Sequence, residues 1–172
     1  MLIETDRLLL RPLTTADLDD VVEMHAMPEV VRTMGAYDRA AALARLERNE
    51  REWAERGHGL VAILERASGR FLGRSGLKYW PQFDETEVGW VLRPDVWGHG
   101  FATEAGRACL HWGFEALDVP YLTAMIVPDN ERSIGVATRL GMQPIRSDVL
   151  MELPVVVYAI GRPSRSGPRT RS

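Results

Sequence analysis

Apolar residues recur at alternating spacing in some stretches of the chain and at helical spacing in others, and the switches between the two mark its elements. Leu8–Leu13 reads as a first strand. Thr14 or Thr15 is placed to cap a helix with Asp17 in its first turn, running to Met27, where Pro28 interrupts it. A short helical stretch, Glu29–Met34, ends at Gly35. Asp38 can cap a longer helix, Arg39 to Arg56, with Leu43, Leu46, Glu50 and Trp53 giving a partly apolar face and Gly57-His58-Gly59 ending it. Leu60–Glu65 and Phe71–Leu77 are strands around the turn Ala67-Ser68-Gly69-Arg70. Tyr79–Asp84 reads as a loop and Glu85–Leu92 as the next strand. Phe101–Leu117 is helical, with Ala105, Ala108, Cys109, Trp112 and Leu117 as its apolar positions. Tyr121–Val127 is a strand, Ser133–Leu140 a short helix, and Met151–Ile160 a last strand in which Pro154 implies an edge or a bulge. This order predicts an α/β fold with a mixed sheet, and not a regular doubly wound one.

The junction between strand and helix at Trp97–Thr103 carries the chemistry. Gly98 and Gly100 stand where the chain turns into the helix. Successive N–H groups at such a turn can converge on one anion, and the helix dipole adds positive potential. Glycine allows φ > 0 and close approach of the backbone to a ligand. The turn therefore reads as a phosphate cradle. It is not a Walker loop, which needs Lys and Ser/Thr after the second glycine; Phe101 follows Gly100, and the only lysine is Lys78. A dinucleotide fingerprint needs Gly or Ala at position 103, where Thr stands, and its acidic partner would have to end the next strand, whereas Asp118 precedes it.

Glu87 to Ala105, with Gly89-Trp90 and the run Trp97-Gly98-His99-Gly100-Phe101-Ala102-Thr103-Glu104-Ala105, resembles the acetyl-coenzyme A loop of the GNAT acetyltransferase superfamily. Within it, the segment is most similar to the branch of the N-terminal acetyltransferases of ribosomal proteins. Asp95 stands at the first position of the wider Gln/Arg-x-x-Gly-x-Gly/Ala signature, so backbone N–H groups carry more of the binding. Asn130-Glu131-Arg132-Ser133 and Leu140-Gly141-Met142 resemble the family's second landmark, with Met142 in place of Phe. Thr5 to Leu13 resembles the branch's opening strand.

The resemblance implies a GNAT fold, with a mixed, mostly antiparallel sheet flanked by helices, over a single domain of residues 1–161. It implies an acetyl-CoA-dependent N-acetyltransferase acting by direct transfer to a primary amine, either a protein N-terminal α-amine or a small molecule such as a polyamine, amino acid or antibiotic. Acetyl-CoA is implied to lie on Val91, Leu92, Trp97, Gly98, His99, Gly100, Phe101, Ala102, Thr103 and Asn130, with backbone of Trp90–Leu92 at the thioester. Glu87, two residues before Gly89, is the candidate base; its bland alternative is a solvated strand glutamate. Ser133 is the candidate acid at the thiolate, because Ala137 stands where many members carry tyrosine; its bland alternative is a helix cap, a role open to Asn130 as well. Glu104 is read as a support of the loop, Cys109 as inert core, and His25 as a surface histidine.

Composition bounds the reading. The 172 residues are 45% hydrophobic and 26% charged, ordinary for one globular domain. The formal net charge is -3; with the four arginines of 162–172 set aside, the body carries about -3 − 4 = -7. An acidic body does not point to nucleic acid, and weakly suits a cationic amine. The basic tail 162–172 lacks apolar anchors and is expected to be mobile, with a ribosome-docking role as the lesser alternative. One cysteine allows no intrachain disulfide, and the four histidines show no zinc-ligand spacing, so no metal is expected. The start of the chain has no signal-peptide pattern and no run of about 18 apolar residues occurs, so a cytoplasmic protein without a membrane span is expected. A homodimer and a non-catalytic coenzyme A-binding module stay open.

Overall fold

The computed structural model describes residues 1–163. Its elements run β1 (Ile3–Glu4), β2 (Leu8–Pro12), α1 (Leu18–His25), α2 (Pro28–Met34), α3 (Arg39–Arg56), β3 (Leu60–Glu65), β4 (Phe71–Trp80), β5 (Glu85–Leu92), α4 (Phe101–Ala116), β6 (Tyr121–Ile126), α5 (Glu131–Arg139), β7 (Gln143–Leu150) and β8 (Leu153–Gly161). The eight strands form one sheet in the order β1-β2-β3-β4-β5-β6-β8-β7. Every neighbouring pair is antiparallel except β5 and β6.

The alternation along the strands divides the core in two. On β2 and β3, Leu8, Leu10, Val61 and Ile63 face α4, where they join Leu77, Val88, Cys109 and Leu122. Ala62, on the opposite face of β3, packs with Phe71, Met24, Val30, Ala42 and Leu46 under α1 to α3. Period-two alternation puts adjacent residues of a strand on opposite faces, so both faces of this sheet are covered.

Local signals set the helices. Asp38 Oδ1 accepts from the Ala41 N–H at 2.8 Å, capping α3, and Gly57 ends it at φ 71°. Pro28 opens α2 from its first turn, where a missing N–H costs nothing, so it starts a helix as well as stopping one. Asp17 accepts from the Thr14 N–H at 2.9 Å and pairs with Arg11, fixing the short turn that leads into α1.

Four features differ from the sequence reading. β4 extends through Trp80, leaving only a tight turn before β5. β7 forms from a polar, exposed run whose pattern gave no strand signal. β8 is an interior strand, yet Pro154 pairs only with Val149 of β7, because β6 ends opposite Val156. The missing N–H of Pro154 thus falls where one neighbour has already stopped, and the irregularity lies in β7, between Pro144 and Arg146. Arg162, read as the start of the tail, is part of the fold: it donates to the carbonyls of Phe114 at 2.6 Å, Val119 at 3.1 Å and Leu117. The rest of the predicted tail, from 164 on, lies outside the described residues.

Candidate active site

β5 and β6 start as parallel neighbours and then part. Only Glu87 and Thr123 are in register. Beyond them a cleft of about 1170 Å³ opens, lined by the glycine turn, β5, the end of β6, α5 and the helices over the other face. The Arg93 N–H goes to Leu72 of β4. Alternation then turns the N–H groups of Trp90 and Leu92 away from β4 and toward the gap, and that of Val91 into the ladder with β4. Val91, expected to offer backbone to the thioester, therefore lines the cleft with its side chain.

At one end of the gap lies the turn. Gly98 and Gly100 have φ of 80° and 81°, the left-handed region in which a Cβ is disfavoured. No side chain caps the first N–H groups of α4, from Phe101 to Thr103, so they are free for an anion. A Cβ on Gly98 would meet no protein atom within 4 Å. The glycine leaves open space there, as an anion cradle requires. Trp97 anchors the turn by donating from Nε1 to the Leu92 carbonyl at 2.9 Å. His99 is exposed, with its ring nitrogen at 2.9 Å from the Trp97 carbonyl. Phe101 and Ala102 pack onto the core beneath.

The turn is also braced from outside. Arg7 donates to the His99 carbonyl at 2.9 Å and to Glu104 at 2.8 Å, while Thr5 donates to Glu104 at 2.6 Å. Glu104 supports the loop through the opening strand, and its helix position alone could not have shown that. Desolvation works against the Glu104 charge, but Thr5 and Arg7 outweigh it and hold its carboxyl below the usual range. Asp95, in the place of a phosphate ligand, is held instead by Arg70 and by Arg93 at 3.3 Å. Positive charge comes from α5, which sequence reasoning missed. Arg132 lies 4.5 Å over the Trp97 ring, and Arg139 donates to Thr103 at 3.2 Å.

Glu87 sits at the vertex of the gap, partly buried. One carboxylate oxygen accepts from Trp80 Nε1 at 2.6 Å and the other from the Met125 N–H at 3.1 Å. The second bond has a structural reason. A continuous ladder would satisfy the Met125 N–H with a β5 carbonyl; the splay removes it, and Glu87 substitutes. Desolvation raises the Glu87 pKa and outweighs these hydrogen bonds and the cations Lys78 and Arg74. It is not a solvated strand residue.

Across the gap, Asn130 Oδ1 accepts from the Ser133 N–H at 3.1 Å and caps α5. Asn130 is thus the cap. Ser133, in the first turn, keeps its hydroxyl out of the capping bond and lines the cleft. Cys109 is fully buried, and burial pushes its thiol up to about 11. His25 corrects the sequence reading: it is 2% exposed, hydrogen-bonded to the Tyr37 hydroxyl, with Nδ1 lacking a partner. Burial, helped by Arg74 and Arg45, pushes it down to about 3, so it is neutral and no base at ordinary pH.

The sequence reading placed the substrate-facing parts at Met24–Tyr37 and Tyr79–Asp84; Val30 to Gly35, Tyr37 and Trp80 do line the other half of the cleft, but its charged wall was not anticipated. Arg74, Lys78, Glu87 and Gly89 lie on the sheet face under α1 to α3, since Lys78 is opposite Glu87 and Arg74 opposite Val91. Arg45, Arg48 and Glu52 line it from α3, and Met151 and Leu153 from the β7–β8 turn. The acidic body suggested a cationic amine; this wall carries more cations than carboxylates. Among the described residues no group of three His, Cys, Asp or Glu could hold a metal, and no helix is long and apolar enough to cross a membrane.

A sheet splayed at one parallel junction, with an uncapped glycine turn beside it, defines a coenzyme A-dependent acyltransferase architecture. The family profile described as acetyltransferase (GNAT) domain matches residues 7–143. The chain belongs to the GNAT family and is an acetyl-CoA-dependent N-acetyltransferase. It is 34% identical to the uncharacterized protein YkkB of Bacillus subtilis over 65% of this chain and 71% of that one. It is similar to the solved acetyltransferase of Agrobacterium tumefaciens, at 32% identity and TM-score 0.80, covering 93% of this chain and 94% of that one. RimL, the ribosomal L7/L12 α-N-protein acetyltransferase solved with coenzyme A, shares the fold at 15% identity and TM-score 0.79, covering 94% and 98%.

Proposed function

We propose that this acetyltransferase moves the acetyl group directly from acetyl-CoA to a primary amine, with both substrates held in the one cleft. The observation that carries the reading is the splay at Glu87: one opening has the free N–H groups of a helix at one end and an enclosed carboxylate at its vertex. The turn Trp97–Thr103, with Arg132 and Arg139, holds the pyrophosphate. Asn130 holds the arm beside it as well as capping α5. The N–H groups of Trp90 and Leu92 meet the thioester carbonyl and stabilise the oxyanion as charge develops.

Glu87 takes the amine proton, directly or through water. Its raised pKa brings it nearer to the range in which a base is effective, and Lys78 and Arg74 disfavour a cationic ammonium beside it. Ser133 donates to the departing thiolate. No acyl-enzyme forms, because the only thiol is buried and protonated.

A protein N-terminal α-amine is the first acceptor to test, on the strength of the Trp97–Ala105 pattern. A small-molecule amine is the second reading, favoured by the walls that α2 and the β7–β8 turn raise around the acceptor end. Incubation with acetyl-CoA and a panel of peptides and small amines, read by mass spectrometry of the acetylated products, separates the two. Coenzyme A binding without any acetylated amine would reduce the protein to a binding module.

A further inference from the structure

Four arginines among the described residues are partly buried: Arg11, Arg74, Arg93 and Arg146. Three of them hold carboxylates. Arg11 pairs with Asp17 at 2.6 Å, Arg93 with Glu23 at 2.9 Å, and Arg146 with Glu85 at 2.9 Å and Asp148 at 3.0 Å. Arg74 holds none. The charged and titratable groups near it are Tyr37, His25, Arg45, Lys78 and Glu87, of which only Glu87 is an acid that could oppose its charge. Tyr37, hydrogen-bonded to His25, also shares its hydroxyl with Arg74 but is neutral, and the oxygens of Glu87 already accept from Trp80 and Met125. Withdrawing a guanidinium from water without a carboxylate in direct contact is costly, and such groups are ordinarily paired. This one faces the cleft, and its neighbours on that wall add charge of the same sign. Arg45 and Arg48 line it from α3, and Lys78 from β4, against Glu52 and Glu87.

We propose that the acceptor carries a carboxylate on the same short molecule as its amine, and that Arg74 receives it while the amine lies at Glu87. The proposal rests on the acceptor site being the Glu87 end of the cleft. Register sets the spacing. Arg74 and Lys78 are four residues apart on one strand, with Glu87 opposite Lys78, so the two anchoring positions lie ~13 Å apart at Cα along the strand. Arg74 and Glu87 both line the cleft, and their long side chains can shorten that span. Opposite Gly76, Gly89 leaves that stretch of β5 bare, and a Cβ there would meet no protein atom within 4 Å. An amino acid, or a peptide N-terminus followed by an acidic residue, fits this description. The planar guanidinium can bind a carboxylate through two parallel hydrogen bonds, which fixes orientation as well as charge. Polyamines, with several ammonium groups, meet repulsion from the same wall.

The test uses matched pairs that differ only in the anionic group. One arm sets an α-amino acid against its amide. The other sets a short peptide with Glu at its second position against the same peptide with Gln. A preference in the first arm alone identifies a small acceptor, and in the second alone a peptide. The anionic member should be favoured at least tenfold in kcat/KM, chiefly through KM. Arg74→Gln should collapse that ratio to within about threefold, and Arg74→Lys should restore part of it. Equal use of both members by the native protein, or a ratio untouched in Arg74→Gln, would overturn the proposal. If no amine is acetylated, the direct-transfer reading fails by itself, and calorimetry of glutarate added to the coenzyme A complex decides the present one. Binding that is lost in Arg74→Gln supports it, and no binding refutes it. Should Arg74→Gln not fold, Arg74→Lys takes its place in both measurements, with a weakened ratio expected.

Discussion

The two halves of the cleft are made of different material. The half proposed for the cofactor is backbone: two left-handed glycines, the first N–H groups of α4, and the N–H groups of Trp90 and Leu92. The half proposed for the acceptor is side chain, contributed by α3, β4, β5 and the turn between β7 and β8. Backbone sites demand glycine at fixed positions and admit few sequences. Side-chain sites can be built from any element that packs nearby. The comparison also shows that net charge says nothing about a cavity. A chain of formal charge -3 encloses a wall on which Arg45, Arg48, Arg74 and Lys78 face only Glu52 and Glu87.

If the cofactor half is backbone, the greatest damage comes from removing its geometry. Gly100→Val should weaken acetyl-CoA binding at least ~100-fold, about 2.7 kcal/mol, as read by calorimetry on a variant shown to be folded. The cause is conformational, since the left-handed backbone costs a residue with Cβ about 1–2 kcal/mol and a valine turns the N–H groups away. No protein atom would clash strongly, because the nearest is Arg7 Nη2 at 3.5 Å. Unchanged affinity would place the cradle elsewhere.

Glu87→Gln attacks the hinge between the halves. Turnover should fall on the order of 10²-fold. In the native enzyme the rate should rise with pH as Glu87 loses its proton, at a pH above the usual carboxylate range because desolvation raises its pKa. The variant should lose that limb and follow only the amine's own deprotonation. An identical pH–rate profile would assign the proton to another acceptor.

Ser133→Ala should lower kcat on the order of tenfold while changing the KM for acetyl-CoA little, since the cap on α5 belongs to Asn130 and survives. A loss confined to KM would make Ser133 a binding contact.

Behind the acceptor wall, His25 gives a test by stability. Its folded pKa of about 3 lies below its ordinary 6.5, so the unfolded chain takes up a proton first as pH falls. Stability should therefore be lost progressively from pH 6.5 toward 3, by up to about 1.4 kcal/mol per pH unit. In His25→Gln that slope should be shallower, as read by thermal melts across the range. An equal slope would mean that other groups, such as His58, carry it.

The smallest effect is expected outside the cleft. Deleting residues 164–172 should change kcat/KM for a short substrate less than about twofold, roughly 0.4 kcal/mol, because Arg162 stays to hold the carbonyls at the end of α4. A large loss would tie those residues to catalysis or assembly.

Much of this was legible. α3 was bounded to the residue by Asp38 and Gly57, the glycine turn stood out because positive φ restricts residue type, and the Asn130–Ser133 pair stood out by its resemblance to the family's second landmark. What escaped detection depends on tertiary position. His25 carries no mark of burial in a helix of mixed polarity; Tyr37, on the next segment, supplies its partner. β7 is polar and exposed, so it is a strand only because β8 offers a ladder. Arg74 reads as one charge in a strand until its lack of a carboxylate can be seen.

The Arg7–Glu104 bracket also bears on the order of assembly. Its two ends are 97 residues apart, so the strand-side segment at Arg7 must wait for α4 before either is fixed. Contacts of such sequence separation close late, after local structure has formed. Glycine chemistry alone therefore does not finish the coenzyme cradle; it should gain its final rigidity in the last stages of folding. Pulsed hydrogen exchange during refolding would show this directly, with the amides of Phe101–Thr103 protected later than those in the middle of α4. A coenzyme present during refolding would then recruit the opening strand, and any tag or truncation at residues 1–7 would be felt at a site almost a hundred residues downstream.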